Sequence, residues 1–154
     1  MTSLSTWFDN YSADHRNATN QLIHVWCVPA ILWSVVAMLW TIPVPPTFGR
    51  PGLWAGLAIA AASIFYWQLS RRLEVGMLVV FVASGLLAEF LRLRFGAQAL
   101  LWIAVAVFVI AWIGQFVGHK IEGRKPSFLT DLSYLLIGPL WVLAKLYRKL
   151  GIAY

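Results

Sequence analysis

The sequence predicts an all-α integral membrane protein with about four transmembrane helices in a single domain, residues 1–154. Of its 154 residues, 60% are hydrophobic and only 12% are charged. A soluble domain of this size has too little interior to cover so much apolar surface. The apolar residues also come in runs of bilayer length, and no long polar linker separates two domains.

The N-terminal segment is polar and aromatic. Trp7, Phe8 and Tyr11 follow the spacing i, i+1 and i+4, which predicts a short helix lying in the membrane interface. The start of the chain is polar and carries acids, so no cleavable signal peptide is visible. Since no retention signal is visible either, we expect a bacterial inner membrane, or the endoplasmic reticulum membrane if the protein is eukaryotic.

Four apolar runs follow, each ending at prolines, glycines or charged residues. The predicted spans are 25–43, 52–70, 75–91 and 97–117. The first ends at the string Pro43-Val44-Pro45-Pro46, which cannot continue a helix. The second is rich in small residues, which permit close packing between helices or between copies in a homo-oligomer.

The tail admits three interpretations. Residues 128–146 are apolar, but Asp131 opens the segment and Gly138-Pro139 interrupts it, so it is a fifth span, a re-entrant segment or an interfacial helix. With four spans and the N-terminus inside, nine Lys and Arg residues lie inside and three outside. A crossing tail makes this six against six. The positive-inside tendency therefore favours a C-terminal re-entrant or interfacial segment, with both termini in the cytoplasm.

The formal charge of +6 does not indicate nucleic acid binding. The basic residues lie at the ends of the apolar segments, where they meet lipid headgroups and set topology. We therefore expect membrane lipid as a partner and no nucleic acid. Cys27 is the single cysteine, which excludes an intrachain disulfide.

The three histidines of the chain, His15, His24 and His119, form the candidate metal site. Two precede the first span and the third follows the fourth, so four crossings place all three on the same, cytoplasmic side. Imidazole is the commonest metal ligand, and it accepts iron and zinc alike. His15 and His24 are nine residues apart, on roughly opposite faces of an unbroken helix. If both are ligands, a bend must separate them, and we expect it within residues 17–20.

Polar neighbours share the helix faces of these histidines. Gln115 and His119 are i and i+4, and His119 and Glu122 are i and i+3, so all three lie on one face. Asn20 and His24 are likewise i and i+4. A carboxylate beside imidazoles is one of the arrangements that bind non-haem iron.

These residues also have plainer explanations. A histidine near the interface can simply reach the headgroups, Glu122 can pair with Lys120 or Arg124 in a weak exposed ion pair, and Gln115 can hydrogen-bond between helices. The sequence contains no His-x-x-x-His string, so the di-iron pattern of membrane desaturases is missing. A non-enzymatic protein that binds lipid or a scaffold partner remains an alternative. A metal transporter is disfavoured, because no histidine or acid lies in the middle of a span.

Three motifs follow one another along the chain: Tyr11-Ser12-x-x-His15, Asn20-x-x-x-His24-x-x-x-x-Pro29 and Trp112-x-x-Gln115-Phe116-x-Gly118-His119-x-x-Glu122-x-x-x-Pro126. Together they resemble the Mpo1-like family of small multispan membrane proteins, and the resemblance covers nearly the whole chain. The best-studied fungal member of that family is an iron(II)-dependent dioxygenase of 2-hydroxy fatty acids.

The resemblance implies a ligand set and a reaction. His15, His24 and His119 are similar in place to the histidines of the family, the expected iron(II) ligands, although three imidazoles accept zinc as well. Glu122 would be a fourth ligand, or an acceptor that fixes an imidazole tautomer. The implied reaction is a step of fatty acid α-oxidation: O2 is the co-substrate, the C1–C2 bond is cleaved, and CO2 leaves an acid one carbon shorter.

Further roles follow from the same resemblance. Glu122, Gln115 and Asn20 would be the catalytic residues, and Asn20 and Gln115 would hydrogen-bond to ligands or oxygen. Arg16, Lys120 or Arg124 would attract the carboxylate of the 2-hydroxy fatty acid substrate. The acyl chain would lie between the helices while the polar head stays at the metal.

Overall fold

The computed structural model describes residues 3–126 and 132–154, which form six helices. These helices are α1 (Leu4–Ala13), α2 (Ala18–Trp40), α3 (Leu53–Leu69), α4 (Arg71–Phe95), α5 (Ala97–Glu122) and α6 (Tyr134–Lys149). No strand occurs in the described part of the chain, so the all-α prediction is confirmed.

Three of the helices, α2, α4 and α5, are long and apolar enough to cross a membrane. Helix α3 is apolar as well but has only 17 residues. The prediction of a membrane protein is therefore confirmed. Each predicted span overlaps one of the helices α2 to α5, and the number of crossings stays a prediction.

Helices α2, α4 and α5 extend beyond their predicted spans at one end or both, because side-chain caps and glycines decide where helices begin and end. The side chain of Asn17 accepts two backbone N–H groups of the first turn of α2, and that of Ser70 accepts one at the start of α4. Helix α5 continues past residue 117 and stops at Gly123, whose φ of +72° is left-handed. Helix α2 ends early, at Trp40 instead of residue 43, and α3 is one residue shorter than its predicted span at each end.

The loop of residues 14–17 supplies the bend between the two N-terminal histidines. The sequence placed this bend within residues 17–20, which was slightly too late. Asn17 is the N-cap of α2, and the residues after it form the first helical turn. His15 therefore lies in the loop, while His24 lies about two turns into α2.

Helices α2 and α5 run antiparallel and form the most extensive helix pair. At one end, Asn20 Nδ2 of α2 donates to Glu122 Oε2 of α5 at 3.0 Å. Further along, a Cβ built on Gly114 would lie only 2.7 Å from Cys27 Sγ, so the two backbones approach closely. At the other end of the bundle, Trp40 Nε1 donates to Glu89 on α4 at 2.8 Å.

Helix α6 lies across the end of the bundle that carries the histidines. Near its start, the ring of Tyr134 meets Trp7 of α1 edge to face, at 5.1 Å between centroids. Near its end, the Tyr147 hydroxyl donates to the carbonyl of Arg72 at the start of α4. Both ends of α6 thus lie at the histidine end of the bundle, and a re-entrant or interfacial course of segment 128–146 stays a prediction. Residues 128–131, the start of the predicted tail segment, lie outside the described residues.

The predicted N-terminal helix is present as α1, and it packs against protein. Phe8 and Tyr11 are buried in one cluster with residues of α6. Trp141 Nε1 of α6 donates to Ser12 Oγ at 2.9 Å. The aromatic side chains that suggested an interfacial helix therefore also anchor α6 beside the histidines.

Replacing Gly114 by alanine is expected to lower the free energy of unfolding by about 1–3 kcal/mol, the usual cost of overpacking. The added Cβ would collide with Cys27 Sγ and force α2 and α5 apart. Thermal unfolding of the detergent-purified protein, followed by circular dichroism, measures the effect.

The matched control is Gly56→Ala, since no described atom lies within 4 Å of a Cβ at that position. It should leave stability unchanged or raise it slightly. Adding Cys27→Ala to the Gly114→Ala variant should restore most of the loss. Unchanged stability of Gly114→Ala would contradict the close α2–α5 contact.

Candidate metal centre

Three different elements bring the histidines together: the α1–α2 loop carries His15, α2 carries His24 and α5 carries His119. Their exposed fractions are only 1%, 1% and 5%. One nitrogen of each ring lies within 4.8 Å of the corresponding nitrogens of the other two. The structure thus juxtaposes all three residues predicted as ligands; that they bind a metal stays a prediction.

Backbone carbonyls fix the tautomers of the first two histidines. His15 Nδ1 lies 2.5 Å from the carbonyl oxygen of Tyr11, and His24 Nδ1 lies 2.9 Å from that of Asn20. A carbonyl only accepts, so both Nδ1 atoms carry the hydrogen. In the neutral rings, both Nε2 atoms are then left with a lone pair.

These two lone pairs face each other, because His15 Nε2 and His24 Nε2 are 3.0 Å apart. Two acceptors at this distance repel each other unless a cation lies between them. Two nitrogens bound at about 2.1 Å to one ion, at a right angle, would lie about 3.0 Å apart. The pair therefore fits a shared metal ion.

Burial lowers the pKa of the His15 imidazole, although the hydrogen bond to the Tyr11 carbonyl opposes the shift. The ring is thus neutral at pH 7, as a metal ligand must be. The Tyr11 ring stacks on it at 4.1 Å between centroids. Burial also raises the pKa of the Tyr11 phenol, so that this hydroxyl stays protonated.

His119 completes the group from the opposite helix. Its ring centroid lies 5.0 Å from each of the other two imidazoles. Its Nδ1 is buried and has no hydrogen-bond partner among the described residues. An unsatisfied buried polar atom costs about 1–3 kcal/mol, and a bound ion or water would remove that cost. The orphaned nitrogen is a second observation that fits a metal site.

Glu122 joins the ends of two helices. Its Oε1 accepts from the backbone N–H of Arg16, and its Oε2 accepts from that of Asn17, both at 2.9 Å. Oε2 also accepts from Asn20 Nδ2. A carboxylate at a helix N-terminus satisfies open N–H groups and stabilises the positive end of the helix dipole. Glu122 therefore clamps the start of α2 to the end of α5.

The acceptors that fix the tautomers of His15 and His24 are backbone carbonyls. A role of Glu122 as the acceptor for an imidazole therefore stays a prediction. The described hydrogen bonds of Glu122 go to the start of α2 instead. Direct ligation by Glu122 stays a prediction.

Asn20 and Gln115 occupy different places around the histidines. Asn20 belongs to the clamp, and its side-chain oxygen is buried against Gly118, where an added Cβ would collide with it. Gln115 is buried one turn before His119 and lines the cavity described below. Of Asn20 and Gln115, Gln115 is therefore the one that lies in the cavity wall.

The three predicted substrate cations lie on the surface. Arg16, Lys120 and Arg124 are exposed, and none of them lines the cavity. Arg124 Nη1 pairs with Asp14 Oδ1 at 3.0 Å. The structure therefore does not bring these side chains to the imidazoles, and attraction of a substrate from the surface stays a prediction.

A cavity of about 370 Å³ opens from the imidazoles into the bundle. The three histidines, Tyr11 and Gln115 lie at one end, and most of the remaining lining is apolar, from α2, α5 and α6. Volumes of this order are typical of small-molecule sites. The arrangement suits a ligand with one polar end and a long apolar part.

Sequence reasoning missed one support of His15. Gln21 Nε2 donates to the His15 carbonyl at 2.6 Å, and Gln21 Oε1 accepts from Lys145 Nζ at the same distance. Lys145 also lies over the Trp141 ring at 4.0 Å. No local spacing links residues so far apart in the chain, so only the fold reveals that α6 holds the His15 loop.

Comparison with known proteins gives the relationships of the chain. The profile of a family described as "2-hydroxy-palmitic acid dioxygenase Mpo1-like" matches residues 1–150. The chain is also 32% identical over 145 residues to the 2-hydroxy-palmitic acid dioxygenase MPO1 of Saccharomyces cerevisiae. This alignment covers 92% of the chain and 78% of the yeast protein. No solved structure matches. The chain therefore belongs to the Mpo1-like family.

Proposed function

We propose that the protein is a membrane-embedded dioxygenase that shortens 2-hydroxy fatty acids by one carbon. The observation that carries this proposal is a buried group of three imidazoles at the polar end of an apolar cavity. Membership of the Mpo1-like family and the name of the yeast relative support the substrate class. The balanced reaction converts a 2-hydroxy acid and O2 into CO2, water and the acid with one carbon fewer.

The three histidines would hold the metal through one nitrogen each. The backbone carbonyls of Tyr11 and Asn20 orient two of the rings, as partners of ligating histidines commonly do. When bound, iron(II) supplies the Lewis acidity and the redox capacity that join O2 to the substrate. Three protein ligands leave positions for the carboxylate and the hydroxyl of the acid.

The residues around the imidazoles position the acid and exclude water. Gln115 offers a carboxamide beside His119, within the cavity wall, for a polar group of the substrate. The Tyr11 ring covers His15 from the side of α1. The apolar walls accept the acyl chain, so that the hydrophobic effect orients the acid with its head at the histidines.

Glu122 is a positioning residue in this scheme. Its carboxylate fixes the start of α2 to the end of α5 and so holds His24 opposite His119. The same oxygens receive the N–H of Arg16, the neighbour of His15. One group thereby sets the relative places of all three imidazoles.

Protein loaded anaerobically with iron(II) is expected to hold about one iron per chain, because three buried imidazoles with open positions suit that ion. His119→Ala should bind iron at least about 10-fold more weakly. Elemental mass spectrometry after desalting measures both. Lys120→Ala is the matched control, since this neighbour of His119 is exposed and outside the cavity.

Each other result has a definite meaning. Full iron in His119→Ala would remove that residue from the ligand set. Stoichiometric zinc that iron cannot replace would keep the site but count against oxygen chemistry. A wild-type protein that binds no metal would favour the alternative of a non-enzymatic lipid-binding or scaffolding protein.

Iron-loaded protein supplied with 2-hydroxypalmitate and O2 is expected to release CO2 and form the acid with one carbon fewer. Palmitate should give no product, because it lacks the hydroxyl that would share the metal with the carboxylate. Mass spectrometry of the extracted acids, together with O2 uptake, tests this. Equal turnover of both acids would contradict the assigned substrate class.

Replacing Glu122 by glutamine separates a clamp from a ligand. If Glu122 is a clamp, the free energy of unfolding of the metal-free variant should be about 1–2 kcal/mol lower than that of the wild type, which is the scale of a lost helix cap. The variant should still take up iron. Thermal unfolding of metal-free protein and iron content of loaded protein are the two readouts. Loss of iron at unchanged stability would show that Glu122 ligates directly.

A further inference from the structure

We propose that the cavity between α2 and α5 measures the length of the acyl chain, with Val35 and Phe108 at its far end setting the longest chain that fits. This inference rests on the proposed function, because it assumes that the carboxyl end of the acid lies at the imidazoles. It assigns a specificity role to residues that carry no chemistry themselves.

The cavity follows a matched register on the two antiparallel helices. On α2 the lining positions include His24, Val28, Ile31 and Val35. On α5 they are His119, Gln115, Trp112 and Phe108. Both series advance by four, three and four residues, the spacing of one helix face. Since His24 lies opposite His119, Val35 and Phe108 end at the same level.

The length of this cavity follows from helix geometry. From His24 to Val35, and from His119 to Phe108, the chain advances 11 residues. At about 1.5 Å per residue, each wall is about 16 Å long. A molecule whose polar head lies at the histidines therefore extends its apolar part towards Val35 and Phe108.

Past that level α2 and α5 are packed together with α4. Ala37 of α2 and Ala104 of α5 are both fully buried, at 0% exposure. They belong to one packed cluster with Leu100 and with Ala88 of α4. No described residue after Val35 on α2 or before Phe108 on α5 lines the cavity. An acyl chain that passes this level therefore leaves the apolar lining of the cavity.

The cavity also opens sideways, towards lipid. Val35 and Leu135 line it and are 37% and 45% exposed, although both are apolar. Leu135 lies on α6, which forms the third wall near the histidines. A fatty acid dissolved in the membrane can therefore enter between α2 and α6 without passing through water.

Beyond the imidazoles, the cavity walls select for the length of the acyl chain and do not recognise charge. No Lys or Arg lines the cavity among the described residues. Binding along the walls then depends on apolar contact, and each methylene group that is buried or displaced changes affinity about fourfold. A difference of two carbons is thus enough for measurable selection.

The test compares kcat/KM of the iron-loaded protein over a series of saturated 2-hydroxy acids of increasing length. Phe108→Ala extends the cavity, so the rate with an acid two carbons longer than the wild-type optimum should rise about 10-fold relative to that optimum. Val35→Trp shortens the cavity and should move the optimum to shorter acids. An unchanged length profile in both folded variants would overturn the proposal.

The matched controls make the same changes on the lipid-facing side of α4. Phe90 and Val82 are 62% and 61% exposed and do not line the cavity. Phe90→Ala and Val82→Trp should keep the wild-type length profile. A shift of the profile in these controls as large as in the cavity variants would also overturn the proposal.

A second measurement needs no variant and no turnover. Palmitic acid with a diazirine near its methyl end is photolysed with wild-type protein, and the labelled residues are mapped by mass spectrometry. Labels at Val35, Phe108 or their immediate neighbours support the proposal, and labels only outside the cavity overturn it. Labelling there without turnover of any 2-hydroxy acid would reject the proposed function but support the binding of an acyl chain along the cavity. Turnover with an unchanged length profile in the variants would support the proposed function and reject the role of Val35 and Phe108 in chain length.

Discussion

A single carboxylate governs the geometry of the site. Glu122 receives N–H groups from the start of α2 while its own helix, α5, carries His119. Because the open N–H groups of a helix start need an acceptor, the two helix ends are drawn together by ordinary backbone chemistry. The loop that carries His15 is held by the hydrogen bond from the Arg16 N–H to Glu122. The remaining packing of the bundle keeps this clamp in place.

The clamp helps to meet a cost that membrane proteins share, which is the burial of polar atoms. A buried cluster of imidazoles is costly in an apolar surrounding unless each polar atom finds a partner. Here the Nδ1 atoms of His15 and His24 each donate to the backbone carbonyl four residues earlier in the chain, and their Nε2 atoms lie 3.0 Å apart. The nitrogens of His15 and His24 that are left for an ion are therefore the two facing Nε2 atoms, while both Nδ1 atoms already have partners.

The sequence was sufficient to predict the helical architecture, but it was insufficient to predict which polar residue contacts which part of the site. Hydropathy and the parity of four apolar runs are properties of long segments, and they correctly predicted an all-α membrane bundle with three distant histidines at one end. The role of Glu122 depends on its meeting the start of α2, which no local spacing encodes. Lys120 follows His119 directly, so it points about 100° away around the helix and is exposed, which adjacency in the sequence does not show. Caps such as Asn17 and Ser70 set the helix ends, because backbone hydrogen bonding does not stop where apolar sequence stops.

Under the proposed function, the sideways opening at Val35 and Leu135 has a consequence for how a fatty acid reaches the site. An acid that arrives through the bilayer would be diluted by lipid, so that its concentration in the membrane would determine the occupancy of the cavity. Saturation then follows the mole fraction of the acid in the membrane. Adding inert lipid would lower the rate at a fixed total amount of acid, and local enrichment of the acid in the membrane would raise the rate without any change in the protein.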